Sequence, residues 1–286
     1  ILGRSIDEFD NILKNIHSRL LHNTTAKSAL EIALYDLLSQ SKKMPLYQLL
    51  GGTQTSFRTD ITISMDKPDK MISDALEAVK LGYRTLKIKI GETPGKDSER
   101  IIRIYEALPE DITLRLDANQ GWSAEETISL LHHIESKGII AEFIEQPVPA
   151  NDIKGLKRIK EAVMTPLLAD ESVFSIQDAR TLLEAQAVDY INIKLDKCGG
   201  ISKALELADL CAEYGVKCML GCMLEGPISI AGALHVASAR AGTITMIDLD
   251  GAALLAENPT EGNIVFNESR LILSAGTGLG ITLPSF

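Results

Sequence analysis

From Arg58 onward the chain repeats one unit: a short strand-like run followed by an amphipathic helix. The strand candidates are 58–64, 85–90, 113–117, 141–145, 167–170, 190–194, 217–221 and 243–248, eight in all. Helical spacing fills the intervals. Ile72, Ala75, Leu76 and Val79 form an i, i+3, i+4, i+7 stripe ended by Gly82, and Ile201, Ala204, Leu205 and Ala208 repeat it before Gly215. Ser123 with Glu126 is a capping-box pattern, and Gly138 stops that helix. Strands and helices alternating in this way make βαβ units and a parallel sheet. Eight strands predict closure into a barrel, which occupies about 250 residues as a single domain.

Ionisable residues fall in step with the strands. Lys87 and Lys89 stand near the end of the second run, Asp117 ends the third, Glu145 the fourth, Asp170 the fifth and Lys194 the sixth. Asp248 and Asp250 follow at the eighth. From Lys89 to Lys194 the successive gaps are 28, 28, 25 and 24 residues, each one βα unit. In a barrel the C-terminal strand ends meet around one mouth, so residues distant in sequence converge there. Three neighbouring carboxylates raise one another's pKa unless a cation intervenes. All-oxygen ligation suits a hard ion, which predicts one Mg²⁺ held by Asp117, Glu145 and Asp170. Lys87 and Lys89 share a strand face because side chains alternate with period two. Lys194 comes from the sixth strand. A lysine beside another cation has its charged form disfavoured, which moves it toward general-base chemistry.

The formal charge of −10 argues against a nucleic-acid or anionic-membrane surface. It leaves an anionic substrate open, since a metal and a few lysines reverse the sign locally. No apolar run approaches the length of a membrane span, and no signal peptide is visible. The four cysteines, Cys198, Cys211, Cys218 and Cys222, contain no CxxC pair, and reduced thiols in a cytoplasmic protein are the expectation.

The motifs around these positions resemble the enolase superfamily, its muconate-lactonizing branch, and within it the dipeptide epimerases of the L-Ala-D/L-Glu type. They are Leu86-Lys87-Ile88-Lys89-Ile90, Asp117-Ala118-Asn119-Gln120-Gly121-Trp122, Glu145-Gln146-Pro147, Ala169-Asp170-Glu171-Ser172 and the run from Asn192 to Gly200. The resemblance implies that Asp117, Glu145 and Asp170 bind Mg²⁺. It implies that Lys89 and Lys194 are paired acid/base catalysts on opposite faces of the substrate α-carbon, and that Lys87 helps neutralise the substrate carboxylate. The implied reaction is a 1,1-proton transfer through an enediolate; lysine bases with Mg²⁺ are a known enolase-superfamily arrangement. Asp248-Leu249-Asp250 resembles the motif that holds a dipeptide's ammonium group. Burying that acidic pair against a substrate without a cation is costly. By the same resemblance Thr62 and the backbone of Leu224 touch substrate. The expected partner is a small dipeptide, with no nucleic acid and no membrane, and assembly as a homo-oligomer stays open. Two alternatives remain: a muconate cycloisomerase or o-succinylbenzoate synthase on the same barrel, and a non-catalytic binding barrel.

The tail after Gly251 shows no eighth helix of the usual length. The predicted architecture is therefore α/β, a (β/α)7β TIM-like barrel with a partial N-terminal α+β capping domain. Residues 1–54 form the cap remainder, 55–251 the barrel and 252–286 a segment returning toward the cap. A helix is predicted over 24–38, and 24–52 resembles the end of the family's capping domain. About two dozen residues precede that helix, and the first is Ile1 rather than Met. The expectation is that the family's three-stranded meander and lid loop are absent or lie outside these residues.

Other signals carry less. Gly276-Thr277-Gly278-Leu279-Gly280 imitates a dinucleotide loop, but no phosphate-binding helix can follow it before Phe286. His17, His22 and His235 lack partners at metal spacing, and Glu225 receives no role.

Overall fold

A computed structural model describes residues 2–19, 21–256, 260–262, 265–267 and 269–282. These fall into two compact units, one from 1–58, 193–210 and 220–286, the other from 59–192 and 211–219.

The first unit begins with three helices: α1 (Phe9–Arg19), α2 (Thr24–Ser41) and α3 (Leu46–Leu49). Ile12, Leu13 and Ile16 turn inward on α1. The predicted helix over 24–38 is α2, which runs one turn longer. Its buried face mixes Ile32 and Tyr35 with Ser28, Glu31 and Ser39, so that face must hydrogen-bond as well as pack. Strand β1 (Ser56–Arg58) follows.

The second unit carries the repeat: β2 (Ile61–Ile63), α4 (Pro68–Lys80), β3 (Thr85–Lys89), α5 (Pro94–Ala107), β4 (Thr113–Asp117), α6 (Ala124–Glu135), β5 (Ile144–Glu145), α7 (Ile153–Ala162), β6 (Leu167–Ala169), α8 (Ile176–Glu184) and β7 (Tyr190–Ile193). Its strands are parallel, with Lys89 opposite Asp117 and Asp117 opposite Glu145. Leu86, Ile88, Leu116, Ile144, Leu168 and Ile191 are buried, as befits a parallel sheet covered on both faces. The Ser123–Glu126 capping box is formed, and Gly138 follows α6 at φ +79°.

The chain continues with α9 (Leu195–Cys198), α10 (Ile201–Glu213), β8 (Lys217–Gly221), α11 (Pro227–Ala239) and β9 (Ile244–Asp248). After β9 comes only a 3-10 turn at Gly251–Leu254, then short strands β10 (Glu261–Gly262), β11 (Val265–Asn267), β12 (Arg270–Ile272) and β13 (Ile281–Thr282). The sheet of eight follows the order β2 to β9, which is sequence order.

The first predicted run, 58–64, contains β2, and its first residue, Arg58, is the last of the separate strand β1. Strand β1 pairs antiparallel with β12, whereas β2 joins the parallel sheet beside β3. Between them the buried Asp60 accepts a 2.6 Å hydrogen bond from Arg115 of β4. The glycine-rich stretch near the C-terminus packs against the first unit's own helices: Leu46 donates its N–H to Gly278 (2.8 Å) and Leu279 donates to Asp36 Oδ1 (2.7 Å).

Candidate active site

In the second unit, four of the expected residues form one hydrogen-bonded group. Lys87 is buried, and its ammonium lies 3.3 Å from Asp117 Oδ2 and 3.3 Å from Glu145 Oε2. Lys89 donates to the same Asp117 Oδ2 at 2.6 Å and to Asn119 Oδ1 at 2.7 Å. The register explains the meeting. Lys89, Asp117 and Glu145 are successive cross-strand partners, and Lys87 sits two residues earlier on the same face. Thr62 of β2 is the cross-strand partner of Lys87.

Asp170 lies one residue past β6 and two past Leu168, the partner of Glu145. Its side chain is buried. A residue outside the sequence-based expectation fixes its backbone. Gln146, fully buried at φ +36°, accepts the Asp170 N–H at 3.0 Å and the Ser172 N–H at 3.1 Å on Oε1. Its amide nitrogen donates to Val148 O (3.0 Å) and Ser172 Oγ (2.8 Å). Two further residues of this kind are Asn119, which joins Lys89 to Glu171 by donating to Glu171 Oε1 at 3.2 Å, and Asn192, which donates to Glu145 Oε1 at 2.7 Å. A signal for Asn192 exists in the sequence: it precedes Lys194 by two residues, so strand parity puts it on the same face.

Glycine is needed beside this group. Gly91, just past β3, has φ +120°, and a Cβ there would lie 2.6 Å from Ala118 O. Close approach of those two backbones holds the Lys89 and Asp117 strand ends together.

The group has an acidic surplus. Burial first, then the neighbouring Asp170, push the Glu171 carboxyl above its usual range, and Asn119 pulls it back. Its Oε2 is buried without a hydrogen-bond partner. Among the described residues, no three His, Cys, Asp or Glu side chains are already drawn to metal-gripping distance; the ammonium groups of Lys87 and Lys89 share the charge of Asp117 and Glu145. Buried carboxylate oxygens on adjacent strand ends, with an orphaned Glu171 oxygen beside them, nevertheless fit a hard divalent cation.

In the first unit, Lys194 is buried and stands as the residue before α9, in extended conformation. Glu225 accepts the Met223 N–H at 2.7 Å and the Ser229 hydroxyl. Burial pushes the Glu225 carboxyl up, the Ser229 and Met223 bonds oppose this, and Asp196 and Lys194 act on it with opposite sign. Glu225 is thus an electrostatic neighbour of Lys194 that the sequence left without a role. Asp248 ends β9 and Asp250 opens the 3-10 turn, both buried. Burial first, then these two carboxylates, push the Cys222 thiol up. Leu224 is exposed and lines a cleft of about 630 Å³ with Glu225, Asp196, Ile228 and helix α2.

A parallel α/β sheet with buried acids and lysines at its strand ends carries general acid/base groups at the place where α/β-barrel enzymes hold their catalytic residues. Residues 70–285 match the model for the enolase C-terminal domain-like family, and residues 1–51 match that for the mandelate racemase / muconate lactonizing enzyme N-terminal domain. The chain belongs to this family. It is 47% identical over 281 residues to the L-Ala-D/L-Glu epimerase of Clostridium acetobutylicum, covering 98% of this chain and 78% of that one. A substrate-liganded L-Ala-D/L-Glu epimerase from Bacillus subtilis superposes with TM-score 0.97 at 39% identity, covering 100% of this chain and 79% of that one. The dipeptide epimerase of Enterococcus faecalis V583, complexed with Mg and L-Leu-L-Tyr, gives TM-score 0.93 at 41% identity over 99% and 79% of the two chains. The expected fold class, a TIM-like α/β fold with an N-terminal cap, is the one these structures share with it.

Proposed function

We propose that the protein is a dipeptide epimerase that inverts the α-carbon of the C-terminal residue by a 1,1-proton transfer, with L-Ala-D/L-Glu as the leading substrate pair. The observation that carries the reading is the Lys87, Lys89, Asp117 and Glu145 group, a pair of lysines locked onto buried acids in strand register. The named epimerase relatives support the substrate class.

Asp117, Glu145 and Asp170 would hold one Mg²⁺; bound there, it supplies positive charge to the substrate carboxylate and so acidifies the adjacent C–H. Lys89 takes or returns the proton on one face of the α-carbon and Lys194 on the other. Asp117 and Asn119 fix the Lys89 ammonium in place, so little reorganisation precedes transfer. Lys87 adds a cation for the substrate carboxylate. Asp248 and Asp250 receive the dipeptide's ammonium, with Thr62 and the Leu224 backbone as further contacts. Cys222 stays a neutral thiol beside the pair and leaves its charge intact. The buried acidic pair favours a dipeptide over muconate or a succinylbenzoate precursor, neither of which has a cation to offer. The reading places the enzyme in the cytoplasm, which four free cysteines support. Among the described residues no helix is long and apolar enough to cross a membrane.

The test is mass spectrometry in D₂O with L-Ala-L-Glu and L-Ala-D-Glu. The wild type should wash deuterium into the α-position of both isomers, and Lys89→Ala and Lys194→Ala should each abolish exchange from one. Exchange persisting from both isomers in both variants sinks the two-base assignment.

A further inference from the structure

Lys194 belongs to a turn that is held from outside itself. Its carbonyl accepts the N–H groups of Lys197 and Cys198, both at 3.1 Å, which starts α9. That single turn ends on Gly199 and Gly200, whose N–H groups return to Leu195 O at 2.9 and 3.0 Å. One turn of helix is not stable alone, and α10 begins directly after it. The first N–H groups of a helix lack partners within it, and here an acceptor comes from α2. Glu31, wholly buried, accepts the Ser202 backbone N–H on Oε2 at 2.8 Å and the Ser202 hydroxyl on Oε1 at 2.6 Å. His17 of α1 meets the same Oε1 at 2.5 Å and braces the carboxylate.

The fit is tight enough to constrain residue 200. Gly200 has φ +126°, and a Cβ there would lie 2.5 Å from Glu31 Oε2 and 2.7 Å from its Cδ. Gly199 is close to the same brace: a Cβ would lie 3.6 Å from His17 Cε1 and 3.8 Å from Lys27 Cδ. Asp196, inside the turn, is held as well; burial pushes its carboxyl up and hydrogen bonding from Thr25 of α2 pulls it back. Two points of the turn, Asp196 and the Gly200–Ser202 end, are therefore tied to one helix. A carboxylate at a helix N-terminus is also electrostatically favoured there.

We propose that Glu31, braced by His17, is a positioning residue for Lys194: it sets where the Lys194 ammonium meets the substrate, without touching substrate itself. The proposal rests on the reading of Lys194 as one of the two bases. It makes the helical N-terminal segment part of the catalytic apparatus for one face of the α-carbon only. Displacement of a reacting group by about an ångström costs on the order of a hundredfold, so loosening the turn should act selectively on the proton that Lys194 carries.

The experiment compares α-deuterium exchange into L-Ala-L-Glu and L-Ala-D-Glu, each measured separately in D₂O, for the wild type, Glu31→Ala, Ser202→Ala and Lys194→Ala. Lys194→Ala identifies the isomer that depends on Lys194. Glu31→Ala is expected to slow exchange of that same isomer by about tenfold or more, with the other isomer within about threefold of wild type. Ser202→Ala, which keeps the Glu31 bond to the backbone, should shift the ratio in the same sense by less, and it serves alone if Glu31→Ala does not fold. A purely structural role moves both isomers together. Equal losses on both isomers, or no loss on either, overturn the proposal while leaving the two-lysine reading intact. If Lys194→Ala itself spares both isomers, the reading of Lys194 fails and the proposal falls with it.

Discussion

The side-chain carbonyl of Gln146 accepts the backbone N–H of Asp170 at 3.0 Å, joining the end of β5 to the end of β6. The same oxygen takes the Ser172 N–H. One buried amide thus sets the height at which Asp170 leaves its strand relative to Glu145. Gln146→Leu removes the acceptor and strands two N–H groups, each worth about 1–3 kcal/mol when buried and unsatisfied. Partners that orient metal ligands typically contribute 10–100-fold in metal affinity. The variant should therefore need roughly tenfold or more Mg²⁺ for half-maximal activity. Titration of activity with Mg²⁺ checks this, and an unchanged midpoint would contradict it.

Lys87 neutralises two buried carboxylates at once. Lys87→Met keeps the length of the side chain and leaves Asp117 and Glu145 short of a cation. Breaking a buried ion pair from one side costs about 3–5 kcal/mol. A divalent ion at the same carboxylates should restore part of that loss through binding linkage. Melting curves with and without Mg²⁺ test the idea: the variant should melt lower than wild type without the ion and gain more from adding it. Equal gains in both proteins would separate Lys87 from the metal site.

How much of this was legible in the sequence depends on whether a residue obeys a period. The strands and the acids and lysines at their ends recur once per βα unit, and alternation put Lys87 and Lys89 on one face, as the register bears out. The first run, 58–64, contains β2 but begins on Arg58, which belongs to a separate antiparallel pairing with β12 that no alternation within the run announces. Gln146, Asn119 and Glu31 follow no period. Gln146 and Asn119 act from left-handed turn positions past the strand ends, and Glu31 acts on a residue 171 positions away. A helical glutamate reads as a solvated one until the face it lies on is known to be buried.

Asp248 and Asp250 are assigned to the substrate's ammonium group. Charged hydrogen bonds contribute about 1.5–3 kcal/mol, which corresponds to roughly 10–150-fold in affinity. Asp248→Asn and Asp250→Asn should each raise KM for L-Ala-L-Glu by about tenfold or more. The wild type should reject N-acetyl-L-Ala-L-Glu, and the variants should discriminate less between acetylated and free dipeptide. Steady-state kinetics with both substrates decides; an unchanged preference would remove the pair from the ammonium site.

His235 of α11 gives a pH signature that belongs to the fold rather than to the reaction. Its Nδ1 accepts the Tyr47 N–H at 3.0 Å, its Nε2 donates to Leu279 O at 3.2 Å, and its ring stacks on Tyr47. Those two bonds fix the neutral tautomer and leave no lone pair for another proton. Burial pushes the imidazole down to about 4, with the Leu279 carbonyl opposing the shift. The unfolded chain carries a histidine near 6.5. Between those values the unfolded state binds a proton that the folded state refuses. The contribution to stability is therefore complete above about 6.5 and is lost as pH falls toward 4. A shift of this size is worth roughly 3 kcal/mol. Urea unfolding between pH 7.5 and 4.5 should show wild-type stability falling more steeply than that of His235→Gln, which has no titratable ring. Parallel profiles for the two proteins would show that the buried imidazole does not report on this transition.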